Sequence, residues 1–211
     1  REEEATMTEA GQLSISPGAP FSARCGTTEL RPIRREDAGE LFPQIHGQPG
    51  VIRWLSWAGP MGVRELEERY SVWRSGAADE PAFMFAVVDV EDGSVIGEAS
   101  LCFDDHPGVG ELGYWLGVEH HGKGHGRATV ELLTRAGFER LGAFALTARV
   151  KEGNEASIAV LEGAGYQAVR APRVEGDDED PPIAWIFSTT RRGEGRRPSR
   201  PAVEFLPSNS G

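Results

Sequence analysis

The residues best placed to do chemistry lie in His121-Gly-Lys-Gly-His-Gly126, where a strand-like run, Gly110–Val118, meets a helix-like run, Gly124–Leu141. Successive backbone N–H groups in a glycine-rich turn point into one concavity. The first N–H groups of the following helix lack intrahelical partners, and the helix dipole adds positive potential. Gly122, Gly124 and Gly126 let the backbone approach an anion without a clashing Cβ, and Lys123 and Arg127 add charge at the rim. The chemistry implied is phosphate binding. The alternative is a tight strand-to-helix connection with no ligand. A Walker loop is excluded, because no Gly-Lys-Ser/Thr follows. A dinucleotide fingerprint would open a parallel unit and need an acid about 20 residues onward. Here a meander precedes the turn, and the next strand ends in Arg149 and Lys151.

A second cluster follows: Asn154-Glu-Ala-Ser157, then Gly165-Tyr166. With the first, it resembles the GCN5-related N-acetyltransferase (GNAT) superfamily, whose signature is Gln/Arg-x-x-Gly-x-Gly/Ala at a strand-to-helix junction. His121 stands where that signature has Gln or Arg. Asn-x-x-Ser, the Gly-Tyr pair and the opening Leu30-Arg-Pro-Ile-Arg-Arg-Glu-Asp37 are similar to the ribosomal-protein-alanine acetyltransferase-like branch. The resemblance covers residues 28–190.

The resemblance implies an enzyme that moves an acetyl group from acetyl-CoA to a primary amine by direct attack in a ternary complex. The acceptor would be a protein N-terminus or a small amine. The glycine turn would hold the pyrophosphate. Backbone groups of Leu116, Gly117 and Val118 would pair with the pantetheine arm, and the Val118 N–H would face the developing oxyanion. The cofactor contacts would comprise these three residues, His121, Gly122, Lys123, Gly124, His125, Gly126, Arg127, Asn154 and Ser157.

Acetyl transfer also needs a base for the amine and an acid for the leaving thiolate. Glu111, at the start of the strand leading to the turn, is the first candidate base, and Glu98 competes with it. Ser157 and Tyr166 compete as acid, with Ser157 favoured. Asn154 is placed to cap its helix and to reach the pantetheine. Tyr166 also suits a core position. His120, His121 and His125 titrate in a useful range but are expected to face solvent on the phosphate loop. No metal-ligand spacing is present, and no metal is expected. The acceptor region is expected at Ile45–Trp57, with Trp54 and Trp57, and at the Arg173–Asp180 loop. Two other functions compete: an acyl-CoA-binding sensor or scaffold without turnover, and a protein for a different phosphorylated ligand.

The elements that must position these groups form a mixed α/β pattern. Strands are expected at Thr28–Ile33, Ala82–Val90, Val95–Phe103, Gly110–Val118, Phe144–Val150, Tyr166–Arg170 and Ile183–Thr190. Asp92-Gly93 marks a hairpin turn. Helices are expected from Arg35, over Arg64–Arg74, over Gly124–Leu141 and over Asn154–Ala164, the last two stopped by Gly142 and Gly165. The order predicts one central, mostly antiparallel mixed sheet with helices on both faces. Residues 1–26 read as a flexible leader, 27–190 as the acetyltransferase domain and 191–211 as a disordered tail.

The chain has 211 residues, with 39% hydrophobic and 26% charged, enough for one sizeable core. A net charge of -11 argues against nucleic acid, which demands clustered Lys and Arg. Two cysteines, Cys25 and Cys102, make no disulfide framework, and Cys102 reads as a small buried hydrophobe. No apolar run approaches the ~18 residues of a membrane span. A cytoplasmic monomer or homodimer is expected.

Overall fold

A computed structural model of the chain describes residues 21–57, 59–75, 82–103, 108–172, 181–191 and 203–206. Nine strands form one sheet: β1 (Ser22–Cys25), β2 (Thr28–Pro32), β3 (Ala82–Asp89), β4 (Val95–Cys102), β5 (Val109–Leu116), β6 (Ala145–Lys151), β7 (Gln167–Arg170), β8 (Ile183–Thr190) and β9 (Glu204–Leu206). Their spatial order is β7-β8-β6-β5-β4-β3-β2-β1-β9. Every pairing is antiparallel except β5 with β6. This is the mixed, mostly antiparallel sheet expected from the sequence.

Five α-helices accompany it: α1 (Ala38–Ile45), α2 (Pro49–Ile52), α3 (Val63–Ser75), α4 (His125–Glu139) and α5 (Glu155–Gly163). Arg35–Asp37 forms a 3-10 turn before α1. Side chains alternate across a strand, so adjacent strand residues report opposite faces. Val87 joins a core with Val130, Leu133 and Leu161 of α4 and α5. Its neighbours Ala86 and Val88 join a second core with Leu41, Val51, Leu66 and Tyr70 of α1, α2 and α3. The helices therefore cover both faces. Strand β3 reads as a nearly unbroken apolar run because both its faces are covered. Gly93, Gly142 and Gly165 take positive φ at the chain reversals where they were expected.

Two expectations are corrected at the ends. Ser22–Cys25, inside the expected leader, is strand β1, and Glu204–Leu206, inside the expected tail, is β9 paired with it. Short apolar anchors hold them. Ala23 and Cys25 are buried, and the Phe21 ring lies 5.2 Å from Phe85 and 6.0 Å from Phe205. Strands of four and three residues are too short to show a period. The Arg173–Asp180 loop lies outside the described residues. No helix among the described residues is long and apolar enough to cross a membrane.

Candidate active site

The central feature is a fork in the sheet. Strand β5 pairs with β4 from Glu111 to Leu116, Leu116 facing Gly97 and Glu111 facing Cys102. It pairs with β6 only at Val109, Gly110 and Glu111. Beyond Glu111 the two parallel strands part. The Gly117 N–H donates to Ile96 O at 2.9 Å, on the β4 side. By strand alternation, the main-chain groups of Tyr114 and Leu116 then face the widening gap. Of the three residues expected along the pantetheine arm, Leu116 borders the gap and the other two are placed differently. Gly117 is committed to β4, and Val118 begins a 3-10 turn past the strand end. Gly117 is also tightly enclosed, since a Cβ there would run into Gln44 Oε1.

A cleft of 780 Å³ occupies the fork and the space under α2 and α3. The glycine turn lines one end of it. Gly122 and Gly124 adopt φ +74° and +92°, and Gly124 is the N-cap of α4. Neither has another atom near its missing Cβ, so backbone conformation alone selects glycine there. Gly126 lies inside α4, where a Cβ would make ordinary contacts with Val160, Leu116 and Tyr114. Lys123 and Arg127 are exposed at the mouth.

Of the three histidines expected to face solvent, His121 is exposed and His125 is not. His121 Nε2–H donates to Leu116 O at 3.0 Å, so its ring folds back on its own strand. His120 is half-buried, and burial, then Lys123, hold its pKa below the ordinary imidazole value. His125 does not face solvent. Its side chain is 3% exposed, with Nδ1 2.9 Å from Thr28 Oγ1 and Nε2 3.3 Å from Asp89 Oδ2.

The two faces of the sheet bring different chemistry to the fork. Cross-strand partners share a face, so Glu98, Trp115, Cys102 and Glu111 all lie on the α1–α3 side. Glu98 is buried, and Tyr70 Oη–H donates to it at 2.9 Å. Arg69 stands 3.8 Å away and lies over the Trp57 ring at 4.5 Å. The buried Trp115 indole N–H approaches the same carboxylate without closing a hydrogen bond. Burial pushes the Glu98 pKa above the carboxylate range, while Arg69 and Tyr70 oppose it. Glu111 sits at the crotch of the fork, half-exposed, its Oε1 bonded to Arg149 Nε at 2.8 Å. Cys102 is half-buried in the cleft beside it, rather than part of a core. Lys151 reaches back from β6 to donate to Leu55 O at 2.6 Å. Trp54, Trp57 and Trp73 complete this wall.

On the other face stand Tyr114 and Ser157. The Asn154 side chain caps α5, accepting from the Ser157 N–H at 3.2 Å. That cap aims Ser157 at the cleft, where Tyr114 Oη–H donates to its Oγ at 3.4 Å. Burial raises the Tyr114 pKa, which keeps its phenol protonated. Tyr166 is elsewhere. It is 4% exposed between α4 and α5, its hydroxyl 2.8 Å from Thr134 Oγ1. The structure thus separates the two candidate acids, and Tyr166 is a core residue. Sequence reasoning missed Tyr114 and Tyr70. Alternation from Leu116 pointed to Tyr114, whereas no local signal links α3 to Glu98. Among the described residues, no group of three His, Cys, Asp or Glu side chains is placed to hold a metal ion.

The sequence pattern of the acetyltransferase (GNAT) domain matches residues 28–167, well over half of the chain. The chain belongs to the GNAT acetyltransferase family. It is 27% identical over 139 residues to the uncharacterized N-acetyltransferase p20 of Bacillus licheniformis, covering 65% of this chain and 78% of that one. The fold is also similar to RimL, a ribosomal L7/L12 alpha-N-protein acetyltransferase solved with coenzyme A. That match has TM-score 0.63 and 16% identity, and covers 78% of this chain and 94% of that one. A third match is the aminoglycoside acetyltransferase AAC(6')-Ib, also solved with coenzyme A. It has TM-score 0.62 and 22% identity, and covers 78% of this chain and 95% of that one. As a GNAT acetyltransferase, the protein uses acetyl-CoA as its acetyl donor.

Proposed function

We propose that this GNAT enzyme transfers the acetyl group to a primary amine by direct attack within one ternary complex. The observation that carries this reading is the fork. It offers a slot through the sheet with carboxylates on one face and a hydroxyl pair on the other. The glycine turn and the first N–H groups of α4 bind the pyrophosphate of the donor. The main-chain groups of Tyr114 and Leu116 hold its pantetheine arm, and their N–H groups face the charge that develops on the thioester oxygen.

Glu98 is favoured as the base. A carboxylate with a raised pKa is matched to deprotonating an ammonium near neutral pH. Glu111 has one oxygen committed to Arg149 and is assigned to guiding the amine past the rim. Ser157, supplied by the Tyr114 hydroxyl behind it, gives the proton to the leaving sulfur. The acceptor enters against Trp54, Trp57 and Trp73. Its class, a protein N-terminus or a small amine, is the subject of the test. Thermal unfolding with acetyl-CoA, coenzyme A, NAD and ATP comes first, since a ligand bound only by the native state raises the midpoint. An acceptor screen reading released thiol follows, with short N-terminal peptides, monoamines and aminoglycosides. Donor binding without thiol release from any amine would replace this reading with that of a sensor.

A further inference from the structure

His125 is the first residue of the helix whose N-terminus faces the phosphate, yet its side chain points away from that site. The ring is 3% exposed, and both nitrogens have partners on the first hairpins of the sheet. Nδ1 lies 2.9 Å from the hydroxyl of Thr28, itself 1% exposed. Nε2 lies 3.3 Å from Asp89 Oδ2. Thr28 and Asp89 are cross-strand partners on β2 and β3. The other Asp89 oxygen accepts from the Glu91 N–H at 3.0 Å, fixing the carboxylate to the β3–β4 turn. With hydrogen on Nε2 facing Asp89, Nδ1 accepts from the Thr28 hydroxyl. A buried polar group is costly without partners, and this ring finds both in residues distant in sequence.

The turn's own bonds, from the His120 and His121 N–H groups and the His121 ring, all lie before Gly122. Gly122 and Gly124 are conformationally permissive, have no neighbour at the Cβ position and follow a short 3-10 turn. Two rings tie this stretch to the meander: His121 bonds to Leu116 O on β5, and His125, one residue beyond the N-cap, bonds to Thr28 and Asp89 on β2 and β3.

We propose that His125 is a positioning residue for the donor's pyrophosphate, acting through its buried contacts with Thr28 and Asp89. It touches no ligand. It fixes the direction in which the Gly124–Gly126 amide groups point, and hence how well they converge on the anion. This rests on reading the turn as the donor's phosphate cradle.

The test compares two probes, coenzyme A and pantetheine, which lacks the pyrophosphate. Dissociation constants are read from quenching of the cleft tryptophans, so no acceptor is needed. Wild type should bind coenzyme A far more tightly than pantetheine. Equal binding would overturn the cradle itself. His125→Asn should weaken coenzyme A about tenfold while changing pantetheine less than about twofold, as loss of a buried charge-assisted contact acting only on the anion predicts. An unchanged coenzyme A constant, or equal losses for both probes, with wild-type selectivity intact, would overturn the role of His125 alone. Should His125→Asn not fold, Asp89→Asn keeps the shape and weakens the same contact, and the same selective loss is expected. Normal coenzyme A binding by a folded Asp89→Asn would overturn the proposal.

Discussion

The two walls of the cleft are made by different means. The wall we assign to the donor is largely backbone: the fork edge of β5, the glycine turn and the first amides of α4, contributed by one stretch from Leu112 to Arg127. The wall we assign to the acceptor is largely side chains from distant elements: Trp54 and Trp57 after α2, Arg69 and Trp73 on α3, Glu98 on β4 and Arg149 and Lys151 on β6. Backbone recognition needs only the right path and small residues, so a local motif encodes it. Side-chain recognition needs a fold to bring its parts together, and any one part is replaceable.

That contrast predicts how each wall fails. The largest effect is expected at the acceptor wall's chemistry. Glu98→Gln should lower kcat by about 10²- to 10⁴-fold with donor affinity unchanged, the range for a general base. Glu111→Gln should cost less than about tenfold, as befits a group outside the proton transfer. The reverse order would move the base to the rim. At the donor wall, Gly124→Val places a β-branched residue at φ +92° and should weaken donor binding by about tenfold or more, from strain of about 1–3 kcal/mol. Gly126→Ala, whose Cβ would stay at 3.7 Å or more from its neighbours, should be nearly silent in donor titrations. If the two behave alike, φ is not what selects glycine at 124.

Ser157→Ala should reduce kcat by about tenfold, in keeping with partial loss of acid catalysis, and leave donor affinity close to wild type. Tyr166→Phe should keep kcat and lower stability by about 1 kcal/mol, the net worth of its bond to Thr134. A kcat loss on Tyr166→Phe with stability intact would return it to the site.

The smallest effects concern pH. A base must be ionised, so kcat/KM falls as pH drops through the raised Glu98 pKa. Tyr70→Phe removes a donor that favours the carboxylate, so the acid limb should shift to higher pH. The raised pKa also means that the native state binds this proton more tightly than the unfolded chain. Glu98 is therefore least costly at low pH, and its cost grows as pH climbs through the folded value. Glu98→Gln should accordingly raise the neutral-pH unfolding midpoint, by about 2–4 °C. A lowered midpoint would make Glu98 a structural ion rather than a strained catalytic one.

Much of this molecule was legible in its sequence because the informative parts are local. The Asp92-Gly93 turn, the Gly142 and Gly165 stops and the glycine turn each state their conformation within a few residues. Asn154 likewise announces a cap, and the cap aims Ser157. Glu111 ranked ahead of Glu98 as base in the sequence, where both are simply acids on strands. Burial beneath Tyr70 and pairing with Arg149 are long-range facts. His125 misled for the same reason. A histidine between two glycines on a loop looks solvated, and only the packing of α4 over β2 and β3 buries it. Tyr166 follows a helix-stopping glycine wherever its ring points, so the motif alone left it both acid and core.

The pairing of Ser22–Cys25 with Glu204–Leu206 carries a practical consequence for anyone trimming this protein. Removing the latter segment as a dispensable extension would uncover a row of unpaired amide and carbonyl groups on β1 and strip the half-buried Phe21 ring of its Phe205 neighbour. Such an edge recruits strands from other molecules. The shortened protein should keep its catalytic fork and lose its shelf life, gathering into oligomers at concentrations where the full chain stays dispersed.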